Sequence, residues 1–284
     1  TLLLCLPIGS MLGLPIAGWS VHRFGSRSVI LICSFAYAFT LPLIGLAPSL
    51  WTIAPVLMGF GVLGNIMNIS LNTQALGLEN QFGKSILASF HGIWSMAGFT
   101  GAGVGAGMIF LNFSPAAHYV VVALLSAVLI LLSQKFVIND KPATGEEGGL
   151  VLRKPDALLL RVGLISFLGM MAEGCMFDWS GVYFKKIVEA EPQYVSLGYV
   201  CFMGAMASGR FVTDKASNRF GKVPVLQVSG LLIFFGLLLS VVFPNLLTAA
   251  IGFLMVGAGV ASIVPVSYGI AGRSKLYSPS VALA

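Results

Sequence analysis

Nine stretches of this chain are long and apolar enough to cross a lipid bilayer as helices: about 1–20, 28–47, 51–76, 86–111, 116–136, 157–182, 194–214, 222–243 and 247–270. A crossing takes about 20 apolar residues at about 1.5 Å of rise each. The runs are continuous rather than alternating, and lipid tolerates no open sheet edge, so the spans are helices and the chain is an all-α membrane protein. Composition settles what else is excluded. With 57% hydrophobic and only 9% charged residues, against roughly 25% charged in a soluble domain, the chain cannot coat a soluble globule. A mean hydropathy of +0.94 equally rules out a disordered chain, a collagen and a nucleic-acid binder. The four cysteines (Cys5, Cys33, Cys175, Cys201) each stand alone in an apolar run. None has metal-ligand or CxxC spacing, so no metal and no cofactor is expected.

Charge placement gives the orientation. Of the 16 Lys and Arg, all but Lys185 and Lys186 fall in segments on one side of the predicted membrane. That bias places the Arg23/Arg27 loop, the 137–156 stretch and the Arg219/Lys222 loop inside the cell. The polar stretch 137–156, with Pro142, Pro155 and a Gly pair, reads as a cytoplasmic linker between a bundle at 1–136 and a bundle at 157–284.

The two halves repeat. A shift of 196 positions carries Arg23-Phe24-Gly25 onto Arg219-Phe220-Gly221, Gly13 onto Gly209, Gly61 onto Gly257 and Pro48 onto Pro244. The span edges obey the same shift without a gap. Two repeats in one orientation joined by an inner linker are the layout of a two-bundle secondary transporter. By this count the chain covers helices two to ten of twelve, so it is expected to lack the first helix and the last two.

The loop Gly18-Trp-Ser-Val-His22-Arg23-Phe24-Gly25-Ser26-Arg27 resembles the loop motif of the major facilitator superfamily, with His22 where that motif has Asp. Its second copy runs from Gly209-Arg210 through Asp214-Lys215 to Arg219-Phe220-Gly221-Lys222. Two further stretches are similar to a bacterial MosC-like subgroup: Asn68-Ile-Ser-Leu-Asn72-Thr-Gln-Ala, running on to His91-Gly92-Ile-Trp94-Ser95, and Glu173-Gly-Cys-Met-Phe-Asp178-Trp179-Ser180. The resemblance implies a two-bundle transporter whose central cavity is lined in part by spans 51–76, 157–182 and 247–270. It also implies an inner (plasma) membrane location in a bacterium, a monomer, a small-molecule solute, and possible coupling to a proton.

Several residues stand out within that frame. Gly61, Asn65, Asn68 and Asn72 fall within an arc of roughly 60° on one helix, with Gln74 on the opposite side. Asn facing lipid is unfavourable, so the stripe faces protein or water, where it can bind a polar solute or brace a neighbouring helix. His91 lies about five residues into its span, roughly 8 Å from the inner surface, within reach of a hydrogen bond to Asn68. It reads as a structural donor or a titrating group. Trp94, one turn deeper, is either core or a face for a substrate ring.

Glu173 is a carboxylate inside an apolar run. An ion at that depth costs about 2.5–3.5 kcal/mol even on a mild scale, so the group must be neutral or partnered, which is what proton coupling requires. Asp178 lies about 140° around the helix from Glu173; Lys185 and Lys186 are its candidate partners. Arg23, Gly25, Arg27, Gly209, Arg210, Asp214, Arg219 and Gly221 are the candidate inner gate. No GxSxG, HExxH or P-loop spacing is present, so no enzyme is expected. Three functions compete. The first is transport of a small polar, sugar- or polyol-like solute. The second is efflux of drugs or metabolites on the same fold. The third is a sensor that moves nothing.

Overall fold

The structure is a computed structural model that describes residues 2–139, 155–274 and 276–283. All regular elements among them are helical: α1 (Leu2–Phe24), α2 (Ser26–Leu46), α3 (Leu50–Phe82), α4 (Leu87–Phe110), α5 (Pro115–Ser133), α6 (Ala157–Lys186), α7 (Leu197–Phe220), α8 (Lys222–Val242), α9 (Leu246–Ala271) and a short α10 (Pro279–Leu283). Among the described residues, eight helices are long and apolar enough to span a membrane. The ninth expected span, 86–111, is helical as α4, and several of its side chains lie outside the described residues.

Local chemistry fixes the helix ends. The Ser114 hydroxyl accepts from Ala117 N at 3.2 Å with Pro115 at the first helical position, and the Asp156 carboxylate accepts from Leu159 N at 2.7 Å. Each takes up a backbone donor that has no partner inside its helix. The tight α1–α2 and α7–α8 corners are single glycines. Gly25 has φ 79° and ψ 150°, and Gly221 has φ 89° and ψ 161°. That region is essentially closed to residues with a Cβ. In both corners the preceding arginine lies over the adjacent phenylalanine ring, Arg23 at 5.9 Å and Arg219 at 5.2 Å.

Contacts group the residues into two compact units, one of Thr1–Gln81, Phe99–Lys154 and Gly272–Ala284, the other of Phe82–Gly98 and Pro155–Ala271. The start of α4 thus packs with the second unit, and residues after Ala271 pack with the first, so these edges differ from the expected 1–136 and 157–284. Of the expected linker 137–156, residues 140–154 lie outside the described residues.

Within the first unit, α1 and α3 cross at glycines. A Cβ on Gly61 would collide with the Leu6 carbonyl oxygen, and one on Gly13 would meet Val62 O at 2.9 Å and Asn65 Cβ at 3.2 Å. Within the second unit, α7 and α9 cross in the same way. Gly257 faces the Phe202 carbonyl oxygen, and Gly209 faces Ala261 Cβ at 2.9 Å and Ala258 O at 3.7 Å. Every one of these partners is displaced by the same 196 positions. The sequence repeat is therefore a repeat of helix crossings.

In the second unit α9 packs on α6, α7 and α8 around a core of Met176, Phe184, Phe202, Met206, Phe253 and Val256. Outward faces are apolar: on α5, Leu124, Leu125, Val128, Leu129 and Leu132 are all exposed. An apolar exterior of this extent suits lipid, not water.

Candidate functional site

The second unit buries a cluster of charged and polar groups around one face of α7. Arg210, Asp214 and Asn218 follow at intervals of four, so they lie in a row along the helix. Arg210 is 5% exposed. Its Nη1 donates to the His91 carbonyl oxygen at 3.2 Å and to Ser95 Oγ, both on α4. Its Nη2 faces Glu173 Oε1 on α6 at 3.7 Å and Met206 Sδ at 3.8 Å. One guanidinium thus ties three helices together. Glu173 Oε1 stands too far from Nη2 for a charge-assisted hydrogen bond, which would run about 2.7–2.9 Å.

One turn on, Asp214 is 7% exposed. It accepts from Ala88 N at 3.0 Å, from Ser89 N at 2.6 Å and from Ser89 Oγ at 2.6 Å. The two amides lie in the first turn of α4 and have no acceptor within their own helix, and a carboxylate there also meets the positive end of the helix dipole. A further turn on, Asn218 accepts from Ser85 N at 2.6 Å and donates to Ser85 O at 3.0 Å. The row Arg210–Asp214–Asn218 therefore clasps the start of α4 at three successive levels.

The other predicted residues distribute as follows. His91 sits on α4 with its ring 6.3 Å from that of Tyr268, and its Nε2 is buried without a hydrogen-bond partner among the described residues. Asn68 bonds Asn72 instead, receiving Asn72 Nδ2 at 3.1 Å on Oδ1 and 2.9 Å on its carbonyl. Asn65 lies against Gly13 of α1 with its Oδ1 buried and unpartnered. Gln74, read onto the opposite face, is buried there: it donates to Ser26 Oγ at 2.6 Å and to Ile138 O at 2.9 Å, and accepts from Ile138 N at 2.8 Å. Trp94 is 67% exposed, so it is not core.

Asp178 is exposed and pairs with neither lysine among the described residues. Lys185 lies two helical turns away, about 10 Å along the axis. Arg27 Nη2 reaches Gln134 O at 3.5 Å. Arg23 and Arg219 are exposed beside their aromatic neighbours, and Gly25 and Gly221 form the corners already described.

Two features lie outside the sequence expectation. Arg210 is expected at the gate, yet about ten residues, or roughly 15 Å, separate it from the C-terminal end of α7 at Phe220. It belongs with Glu173, and the signal was a cation inside an apolar span. Glu79 is 2% exposed, more deeply buried than Glu173, and stands 3.9 Å from Arg273 Nη2. The predicted span ended at residue 76, whereas α3 continues to Phe82 and carries Glu79 on a fixed face.

Membrane-spanning helices built as two repeated crossings, with a largely buried ion pair at mid-helix, define a membrane transport protein of the repeat-built class. The chain belongs to the Major Facilitator Superfamily, whose profile matches residues 1–275. It is 31% identical over its whole length to an uncharacterised MFS-type transporter of Yersinia pestis, covering 73% of that protein. It is 30% identical to an uncharacterised transporter of Sinorhizobium fredii, covering 75% of it. It is also 30% identical over 99% of its length to the membrane protein MosC of Rhizobium meliloti, covering 69% of MosC, so the transporter is MosC-like. Among solved structures, it matches 72% of the human organic anion transporter MFSD10 at a TM-score of 0.71 and 18% identity over 98% of the chain. It matches 85% of the MFS transporter FucP, in the outward conformation, at 0.69 and 15% over 99% of the chain. At those identities the likeness is one of fold.

Proposed function

We propose that this transporter moves a small polar solute, sugar- or polyol-like in its hydrogen bonding, across a bacterial inner membrane by alternating access, and that Glu173 couples the movement to a proton. The observation that carries the reading is the Glu173–Arg210 pair. It sets a half-buried acid 3.7 Å from a buried cation at mid-helix, close enough to sense each other and too far apart to be locked. Protonating Glu173 removes the charge that holds Arg210 towards α6, so a proton can bias the packing of α6 against α7.

Within the first unit Asn65, Asn68 and Asn72 supply a polar stripe for the solute; within the second, His91 and Trp94 are polar and aromatic contributors from α4. Asp178 belongs to the outer end. The clasp of Asp214 and Asn218 on the start of α4, with the glycine corners at Gly25 and Gly221 and the arginines beside them, forms the inner gate whose release accompanies rocking. In this reading the chain acts as a monomer, as two bundles joined by a cytoplasmic linker at 137–156.

Proteoliposomes carrying an imposed proton gradient test it, with a panel of labelled sugars, polyols and sugar acids. The wild type should accumulate at least one of them against its gradient. Glu173→Gln should abolish that accumulation while leaving solute exchange at equal concentrations. Gradient-driven accumulation that survives in a folded Glu173→Gln protein would refute the coupling role.

A further inference from the structure

An arginine side chain has five N–H donors in a fixed plane, and buried donors are almost always matched. The donors of Arg210 are matched unevenly. The Nη1 side is used by His91 O and Ser95 Oγ. The opposite edge, formed by Nε and Nη2, is not. Nε is buried with no hydrogen-bond partner among the described residues. Among the described residues, Nη2 has only the weakly accepting sulfur of Met206 at 3.8 Å and the non-bonded Glu173 oxygen at 3.7 Å. That edge is the one whose two parallel N–H vectors fit the two oxygens of a carboxylate.

We propose that the Nε/Nη2 edge of Arg210 is a carboxylate-binding fork, so that the solute taken by this site is a carboxylate-bearing one that docks there in competition with Glu173. The proposal deepens the transport reading and rests on it for calling the ligand a solute. Three observations select the chemistry. A neutral hydroxyl would use one donor of the fork and leave the other unmet on a side chain that is 5% exposed. A phosphate dianion would need more than one cation, and Glu173, the acid 3.7 Å from the fork, would repel a dianion about twice as strongly as the monoanion that one guanidinium balances. A carboxylate matches the fork in both geometry and charge. The fork is also particular to the second repeat, since the equivalent position in the first is Leu14.

The rival relation to Glu173 gives a direct test on the purified full chain in detergent. Glu173→Gln removes the counter-charge and leaves Arg210 buried and unpaired, so its melting temperature should fall by roughly 5 °C or more. Formate or acetate should then restore more than half of the loss by binding the native fork, while formamide, acetamide and chloride at equal concentration should not. Arg210→Lys keeps the charge but loses the fork, and should show no carboxylate-specific shift.

If Glu173→Gln does not fold, the wild type carries the test. Acetate should raise its melting temperature and acetamide should not, and Arg210→Lys should remove the difference. A folded Glu173→Gln protein that responds alike to carboxylates and amides, or to neither, overturns the proposal. Flux measured in parallel keeps the two readings apart: loss of carboxylate-specific rescue with flux intact removes the fork alone. Rescue with no flux for any solute keeps the fork and removes the transport assignment.

Discussion

The clasp on the start of α4 predicts a sharply local effect. α4 begins at Leu87, so the amides of Ala88 and Ser89 have no helical acceptor and depend on Asp214 at 3.0 and 2.6 Å. Hydrogen bonds to a charged group are each worth about 1.5–3 kcal/mol, and a carboxylate at a helix N-terminus adds about 0.3–1 kcal/mol. The bonds share one carboxylate and are not additive, so Asp214→Ala should destabilise the clasp by about 3 kcal/mol, or roughly 150-fold at 1.4 kcal/mol per tenfold. Asp214→Asn keeps one acceptor oxygen and loses the charge. It should lose about half of that energy, near tenfold.

Hydrogen exchange read by mass spectrometry on peptides covering 85–95 is the assay, because exchange there reports local opening rather than global unfolding. Protection at 88 and 89 should fall by those factors, while peptides from the α9 core around Ala249–Val256 stay unchanged. Exchange at 88 and 89 within about threefold of wild type in a folded Asp214→Ala protein would refute the clasp.

The repeated crossings predict paired outcomes. Gly61→Val and Gly257→Val each drive a branched side chain into a backbone carbonyl, Leu6 O and Phe202 O respectively, so each should cost at least the 1–3 kcal/mol typical of overpacking. Their melting-temperature losses should agree closely, since the two crossings are copies. Gln74→Ala strips both partners from the backbone of Ile138 and leaves a half-buried amide and carbonyl unmet, at about 1 kcal/mol, the low end of the cost of an unmet buried group. Limited proteolysis should then cut near residue 138 much faster than in wild type, with no change in cleavage elsewhere.

The helices and their repeat are legible in the sequence because both rest on features that act locally or periodically. Apolar run length marks the spans and a constant shift marks which glycines correspond, whereas the carbonyl each glycine faces emerges only from the packing. The buried charges were harder to read. Arg210 sits between Gly209 and Phe211, and nothing in its neighbours in sequence tells that its guanidinium will meet Glu173, 37 positions earlier, and His91, 119 positions earlier. Such pairings are set by how α4, α6 and α7 pack, which is tertiary information. Glu79 failed for a different reason. Its helix runs on past the apolar stretch into the polar end, where hydropathy no longer signals helix.

Comparing the repeats residue by residue separates scaffold from chemistry. Shared positions are those that shape the backbone: Gly13 and Gly209, Gly61 and Gly257, Gly25 and Gly221, with the Arg-Phe step before each corner. The polar row on α7 is not kept on α1, where Leu14 and Gly18 occupy the places of Arg210 and Asp214 and only His22, at the place of Asn218, is polar. Conversely, the Asn65, Asn68 and Asn72 stripe on α3 becomes Ala261, Val264 and Tyr268 on α9. The copies kept the glycines because a Cβ at a crossing meets another backbone, which neither copy can move. They diverged in their polar groups because such groups are expensive in a membrane interior and are retained where they act. By that criterion one copy supplies uncharged hydrogen-bonding groups and the other supplies the ion pair.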